Sequence, residues 1–212
     1  MLHDGEDLWL VGLVGPAAAQ CEDLRDASLQ SPSNRRFGVV GPDPEAITQQ
    51  GREAVIRAKM NSLVDPTIIA LLYEASQAGV TIELIIRGMC SLYPGCEGLS
   101  ENIRVISIIG QFLEHSRIFS FANGGSPEMY IGSADWMSRN LDRRIEAVTP
   151  IENPEHRQKL ERLLQLYFND NQGAWDMQSD GTFVQRKPEN EAPEHNSQIQ
   201  LIKEWSNGIQ SL

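Results

Sequence analysis

Residues 54–86 read AVIRAKMNSLVDPTIIALLYEASQAGVTIELII, and the order of signals in that stretch decides the fold. Ala54 to Met60 has the apolar content of a strand. Asp65-Pro66 then opens a helix, with the aspartate as N-cap and the proline at the first helical position, where its missing N–H costs nothing. Ile68, Ile69, Leu71, Leu72 and Ala75 recur on one helical face, and Gly79 ends the helix. Val80 to Ile86, VTIELII, is rich in β-branched residues and gives a second strand. Strand, helix and strand in 33 residues make a β-α-β unit, whose two strands are expected to run parallel.

Downstream, a Gly- and Pro-containing loop, Gly88 to Gly98, leads to a strand at Ile103 to Ile108 and a short helix around Gly110 to Glu114. Ser116 to Phe121 and Met129 to Ser133 read as a hairpin around Asn123-Gly124-Gly125, residues that tolerate positive φ. Arg144 to Pro150 reads as another strand. Asn153-Pro154 starts an amphipathic helix to Asn169, with Leu160, Leu163, Leu164 and Tyr167 on one side. Trp175 to Gln185 reads as a closing strand pair turning at Asp180-Gly181. Lys187 to Asn196 is an acidic linker, and Ser197 to Asn207 a final helix expected to dock through Ile199, Ile202 and Trp205. Upstream, Leu8 to Val14 is apolar, but the rest of residues 1–50 keeps neither helical nor strand period. The division expected is an irregular segment 1–50, an α/β body 51–178 with a mixed sheet flanked by helices, and an acidic linker with a short helix over 179–212.

The formal net charge of −11 excludes sequence-independent nucleic-acid binding, which requires phosphates to be neutralised by clustered Lys and Arg. A polyanionic ligand would need a local basic site. Residues 1–50 carry eight acids against three arginines, so the acidity is spread along the chain rather than confined to one end. No run approaches the roughly 18 apolar residues of a membrane span, and no basic-then-apolar leader opens the chain. The expected location is cytoplasmic. Cys21, Cys90 and Cys96 lack metal-ligand spacing and read as free thiols.

Chemistry concentrates around His115 and Arg117, two apart on an expected strand edge and so expected to point to the same face of the sheet. The next strand runs into Gly132-Ser133-Ala134-Asp135, where glycine permits close backbone approach and the Ser133 hydroxyl and amide can meet an anion. A His-x-Arg strand beside a Gly-Ser-x-Asp strand end resembles the signature of the phospholipase D superfamily, except that Arg117 and Asp135 stand where that superfamily has Lys and Asn. These departures disfavour phosphodiester hydrolysis by the usual route. Arg117 could equally pair with Glu114 or Asp135, and Arg139, Arg143 and Arg144, set among Asp142 and Glu146, read as a salt-bridged strand edge. Lys59 and Asn61 end the first strand and can line the same cleft, although an exposed Lys at a strand end is commonplace. Tyr93, in the loop, is a candidate to stack on a base.

The wider sequence, KMNSLVDPTIIALLYEASQAGV (59–80), IRGMC (86–90), PGCEGLSENIRVISIIGQFLEHSRIF (94–119), ANGG (122–125) and YIGSADWMSRNLDRRIEAVTPI (130–151), resembles the C-terminal part of the polyphosphate kinases. The resemblance implies one of two phospholipase-D-like halves and reversible transfer of the terminal phosphate of ATP to polyphosphate through a phosphohistidine. His115 matches that family's second active-site histidine, which contacts the nucleotide phosphates and is not the phosphorylated one. Arg87 matches the arginine that binds the phosphates of ATP. ATP or ADP and polyphosphate are the implied partners, and Mg²⁺ with ATP the implied cofactor, its ligands lying in the other half. The phosphorylated histidine has no counterpart here, so the chain reads as a fragment, inactive unless a homo-oligomer or a complementing N-terminal half completes the site. The alternatives are a non-catalytic phosphate-binding module and a homodimeric phospholipase-D-like phosphodiesterase.

Overall fold

The computed structural model describes residues 54–125, 127–188 and 193–209. The apolar stretch Leu8 to Val14, with His3 and Cys21, lies outside them.

Strand β1 (Val55–Met60), helix α1 (Pro66–Gln77) and strand β2 (Thr81–Ile86) form the expected β-α-β unit, with β1 and β2 parallel from Val55↔Thr81 to Met60↔Ile86. Asp65 caps α1 by accepting from the N–H groups of Thr67 and Ile68, each at 3.1 Å. Gly79 leaves the helix at φ +88°, a conformation that costs a residue with a Cβ but not glycine. Strand β3 (Ile103–Ile108) pairs parallel to β2. Strands β4 (Ile118–Phe121) and β5 (Glu128–Gly132) form the expected hairpin, turning through Asn123 at φ +44° and Gly124 at φ +60°. Helix α2 (Ser138–Arg143), strand β6 (Val148–Pro150), helix α3 (Pro154–Phe168), strands β7 (Ala174–Met177) and β8 (Phe183–Gln185), and helix α4 (Ser197–Ile209) complete the described residues.

One mixed sheet results, in the order β6-β5-β4-β1-β2-β3-β7-β8, with a parallel centre and antiparallel wings. Alternate residues of its strands feed two apolar layers. Ile82, Leu84 and Ile86 pack with Ile68, Leu72 and Ala75 of α1, whereas Ile85, Ile106 and Ile108 pack with Leu164, Tyr167 and Phe168 of α3. The parallel centre is therefore covered on both faces, as its nearly continuous apolar strands require. No helix among the described residues is long and apolar enough to cross a membrane.

Four expectations are corrected. Residues 110–114 form no helix; 110–112 bend and 113–114 take no regular structure. Gln198 hydrogen-bonds both the N–H and the C=O of Phe112, and a Cβ on Gly110 would stand 2.4 Å from Gln198 Oε1. The strand expected from Arg144 shrinks to Val148–Pro150, and α2, which has no side-chain N-cap bond, was not foreseen. Strand β4 starts at Ile118, so His115 and Arg117 lie in the segment before it rather than on its edge. Finally, α4 does not dock through Ile199, Ile202 and Trp205, which are 50%, 43% and 73% exposed. It is held by polar side chains: the N–H and hydroxyl of Ser197 both donate to Asp170 at 2.7 Å, and Gln198 reaches Glu114 at 2.8 Å. Those bonds fix the helix's rotation, and among its described side chains Leu201 packs against the α3 layer.

Candidate functional site

Because β4 is antiparallel to β1, its start lies beside the end of β1, with Lys59 opposite Ile118. The end of β5 returns to the same place, where Gly132 donates to the Arg117 carbonyl at 3.3 Å. Arg87 directly follows β2. Lys59, Asn61, Arg87, His115, Arg117 and Asp135 thus converge beyond the carboxyl ends of the parallel strands, where α/β sheets bind ligands.

Buried Asn61 and Asp135 organise two arginines. Asn61 Oδ1 accepts from Arg87 Nη2 at 2.8 Å and Nε at 3.2 Å. Asp135 accepts from the Asn61 N–H at 2.8 Å and from its side-chain amide at 3.3 Å. Arg117 approaches the same carboxylate in a two-pronged fork, Nε to Oδ1 at 3.2 Å and Nη2 to Oδ2 at 3.1 Å, while its Nη1 donates to the His115 carbonyl at 2.8 Å. Burial pushes the Asp135 carboxyl up, but the bonds from Arg117 and Asn61 outweigh it and hold the group below the usual aspartate range. Of the two residues to which Arg117 could pair, the structure selects Asp135.

Lys59 is 1% exposed. Its ammonium pairs with Glu114 at 3.2 Å, donates to Ser116 Oγ at 2.8 Å and sits 5.1 Å from the centre of the Tyr167 ring. Burial lowers its pKa, Glu114 works against that, and the charges of Arg87 and Arg117 add to the lowering. The Tyr167 hydroxyl is pushed far up by burial and by the charge and hydrogen bond of Glu114. A strand-end lysine read from sequence as commonplace is therefore a buried cation beneath the site.

His115 stands exposed at the rim. Ser133 is engaged elsewhere: its hydroxyl donates to Glu146 and accepts from the Ala147 N–H at 3.0 Å, and its own N–H donates to the Ala147 carbonyl at 3.0 Å. The structure unites Arg87, Arg117 and His115 through one network that Ser133 does not enter. Arg144 comes only to 4.0 Å of Glu146 and is 60% exposed. Tyr93 packs its ring edge near Gly181 and donates its N–H to the Tyr73 hydroxyl. Cys90 and Cys96 are free thiols, and burial pushes that of Cys90 up.

The described residues hold no group of three His, Cys, Asp or Glu side chains able to grip a metal ion. Asp135 and Glu114, buried carboxylates at the site, are already committed to Arg117 and Lys59. They do not fit a Mg²⁺ site.

The sequence profile described as polyphosphate kinase C-terminal domain 2 matches residues 43–198. The match takes in residues 43–50 of the segment read above as irregular, and it also runs past residue 178. The polyphosphate kinase of Parasynechococcus marenigrum is 74% identical over 161 residues, covering 76% of this chain and 23% of that protein. The polyphosphate kinase of Pseudomonas aeruginosa is 50% identical over 153 residues, 72% of this chain and 22% of that protein. The chain spans about a quarter of the length of these relatives. The crystal structure of polyphosphate kinase from Porphyromonas gingivalis superposes with a TM-score of 0.75 at 31% identity, covering 92% of this chain and 28% of that one. A long profile match, high identity and a shared fold agree: the chain belongs to the polyphosphate kinase family, of which it carries the second C-terminal domain.

Proposed function

We propose that this domain binds the phosphates of ATP and polyphosphate and supplies part of a site for reversible phosphoryl transfer between them. The observation that carries this reading is the placement of Arg87 and Arg117 on one buried Asn61–Asp135 scaffold beside the exposed His115. Phosphoryl transfer asks little covalent chemistry of a protein; it asks that charge on the transferring oxygens be neutralised and the reacting atoms held in line. Guanidinium forks meet both demands. His115 would donate a hydrogen bond or proton to the same phosphates. Mg²⁺, arriving with ATP, would draw its protein ligands from outside this domain. The phosphorylated histidine would come from the N-terminal portion of a polyphosphate kinase, and the cytoplasm, where ATP is abundant, is the compartment that fits.

A second reading, a non-catalytic phosphate-binding module, needs only the Arg87–Asn61–Asp135–Arg117 scaffold and no transfer step. Both are tested by incubating labelled ATP with the purified chain and Mg²⁺, alone and with a separately expressed N-terminal portion of a relative. Acid-insoluble polyphosphate that disappears in His115→Ala supports the kinase reading. Phosphate binding lost in Arg87→Ala, with no turnover under either condition, supports the module. A chain that binds no phosphate overturns both.

A further inference from the structure

Five residues, 112–116, carry the exposed His115, and three of them are tied down from beneath by side chains of two distant elements. From α4, Gln198 accepts from the Phe112 N–H at 2.9 Å and donates to the Phe112 carbonyl and to Glu114 Oε1, both at 2.8 Å. From β1, Lys59 pairs with the other Glu114 oxygen at 3.2 Å and donates to Ser116 Oγ at 2.8 Å. Glu114 and Ser116 are the two chain neighbours of His115. Lys59, Glu114 and Gln198 are 1%, 8% and 6% exposed, whereas Leu113 is 70% exposed and His115 is open to solvent. Burying an ion pair is costly against a well-packed apolar pair, so this arrangement is an expensive way merely to close a core. Its geometric effect is to define where His115 stands relative to Arg87 and Arg117.

We infer that Gln198 and Lys59 are positioning residues for His115, with Gln198 making α4 part of the machinery that sets the phosphate site. The inference rests on the phosphate-binding reading above. Neither side chain needs to touch the ligand; each holds the segment that does, as supporting shells around reacting groups do.

The test is a double-mutant cycle on the full chain, with tripolyphosphate binding followed by calorimetry. Gln198→Ala should weaken binding roughly three- to tenfold in the His115 background and have no further effect in His115→Ala, since groups in one network couple by that order. Gln198→Met, close in volume, replaces the alanine variant should that not fold. Ser197→Ala is the control, because it loosens the same helix at Asp170 without touching residues 112–116; its effect should be the same in both backgrounds. Equal losses for Gln198→Ala with and without His115 overturn the proposal. Failure of the unmodified chain to bind tripolyphosphate overturns the phosphate-binding reading instead. The positioning claim is then decided by amide hydrogen exchange: selectively faster exchange over 112–116 in Gln198→Ala, but not in Ser197→Ala, supports it, and unchanged exchange ends it.

Discussion

Arg117 and Asp135, 18 residues apart, meet in a two-pronged ion pair whose side chains are 12% and 8% exposed, and the same carboxylate also holds Asn61. One aspartate therefore orients a guanidinium directly and a second, that of Arg87, through Asn61. Asp135→Ala leaves a nearly buried guanidinium and the Asn61 N–H without their acceptor. Removal of one partner from a buried pair costs on the order of 3 kcal/mol, so urea denaturation should show a loss of that size. A loss within 0.5 kcal/mol, the range typical of surface substitutions, would mean that solvent satisfies both groups.

The pH dependence follows from the same bond. Asp135 titrates below its ordinary range in the folded chain, and so does Asp170, which burial pushes up but which bonds from Ser197, Gln172 and Gly173 hold down. A carboxyl with a depressed folded pKa binds its proton more readily when unfolded. It contributes stability that is complete above the unfolded value of about 3.9 and is lost as pH falls through the folded one. Unfolding free energy should accordingly drop on acidification below about pH 4, and Asp135→Asn should flatten that limb. An unaltered acid limb in the variant would assign the loss to other groups.

Lys59→Met should be severely destabilising, by about 3–5 kcal/mol, because it strands Glu114 as an unpaired buried charge. Adding Glu114→Leu should restore much of the loss, since an apolar pair of similar volume replaces an ion pair at little net cost. Thermal unfolding of the two single variants and the double one checks this. A double variant as unstable as the sum of the singles would show that the pair matters through its hydrogen bonds to Ser116 and Gln198 rather than through charge balance.

Arg87 is only half-buried, and its loss leaves Asn61 able to turn to water. Arg87→Ala should therefore keep nearly the native melting temperature while weakening tripolyphosphate binding about ten- to a hundredfold, the worth of a charge-assisted hydrogen bond or two. Arg87→Lys should recover only part, because an ammonium cannot reproduce the fork. Calorimetric titration at fixed salt distinguishes these outcomes.

Much of the fold was legible because its decisive signals are local. Asp65-Pro66 and Asn153-Pro154 each announce a helix start through an N-cap and a first-turn proline, and both helices begin there. The β-branched run of β2 and the Asn123-Gly124-Gly125 turn are equally short-range. What sequence misread was set by distant partners. Residues 110–114, which form no helix, are bonded by Gln198, more than 80 residues away. The rotation of α4 was set by Ser197 and Gln198 rather than by its apolar residues. In the site, Arg87, His115 and Arg117 stood out through their residue types and the family resemblance. Asn61 and Lys59 were noticed at a strand end, but nothing in the sequence announced the bond to Asp135, 74 residues on, or the burial of an ammonium under Tyr167.

The Asn61–Asp135 scaffold also has a consequence for how quickly and how selectively the site can discriminate. Two guanidiniums whose planes are already set by fixed acceptors do not have to be frozen out of many rotamers when a ligand arrives, so the ordering entropy of those long side chains has been spent during folding. A rigid pair of forks rewards only ligands whose oxygens recur at a matching spacing. On the phosphate-binding reading proposed above, repetition along a phosphate chain would meet that demand at every register, so a long chain would advance by one unit and find the same fit again.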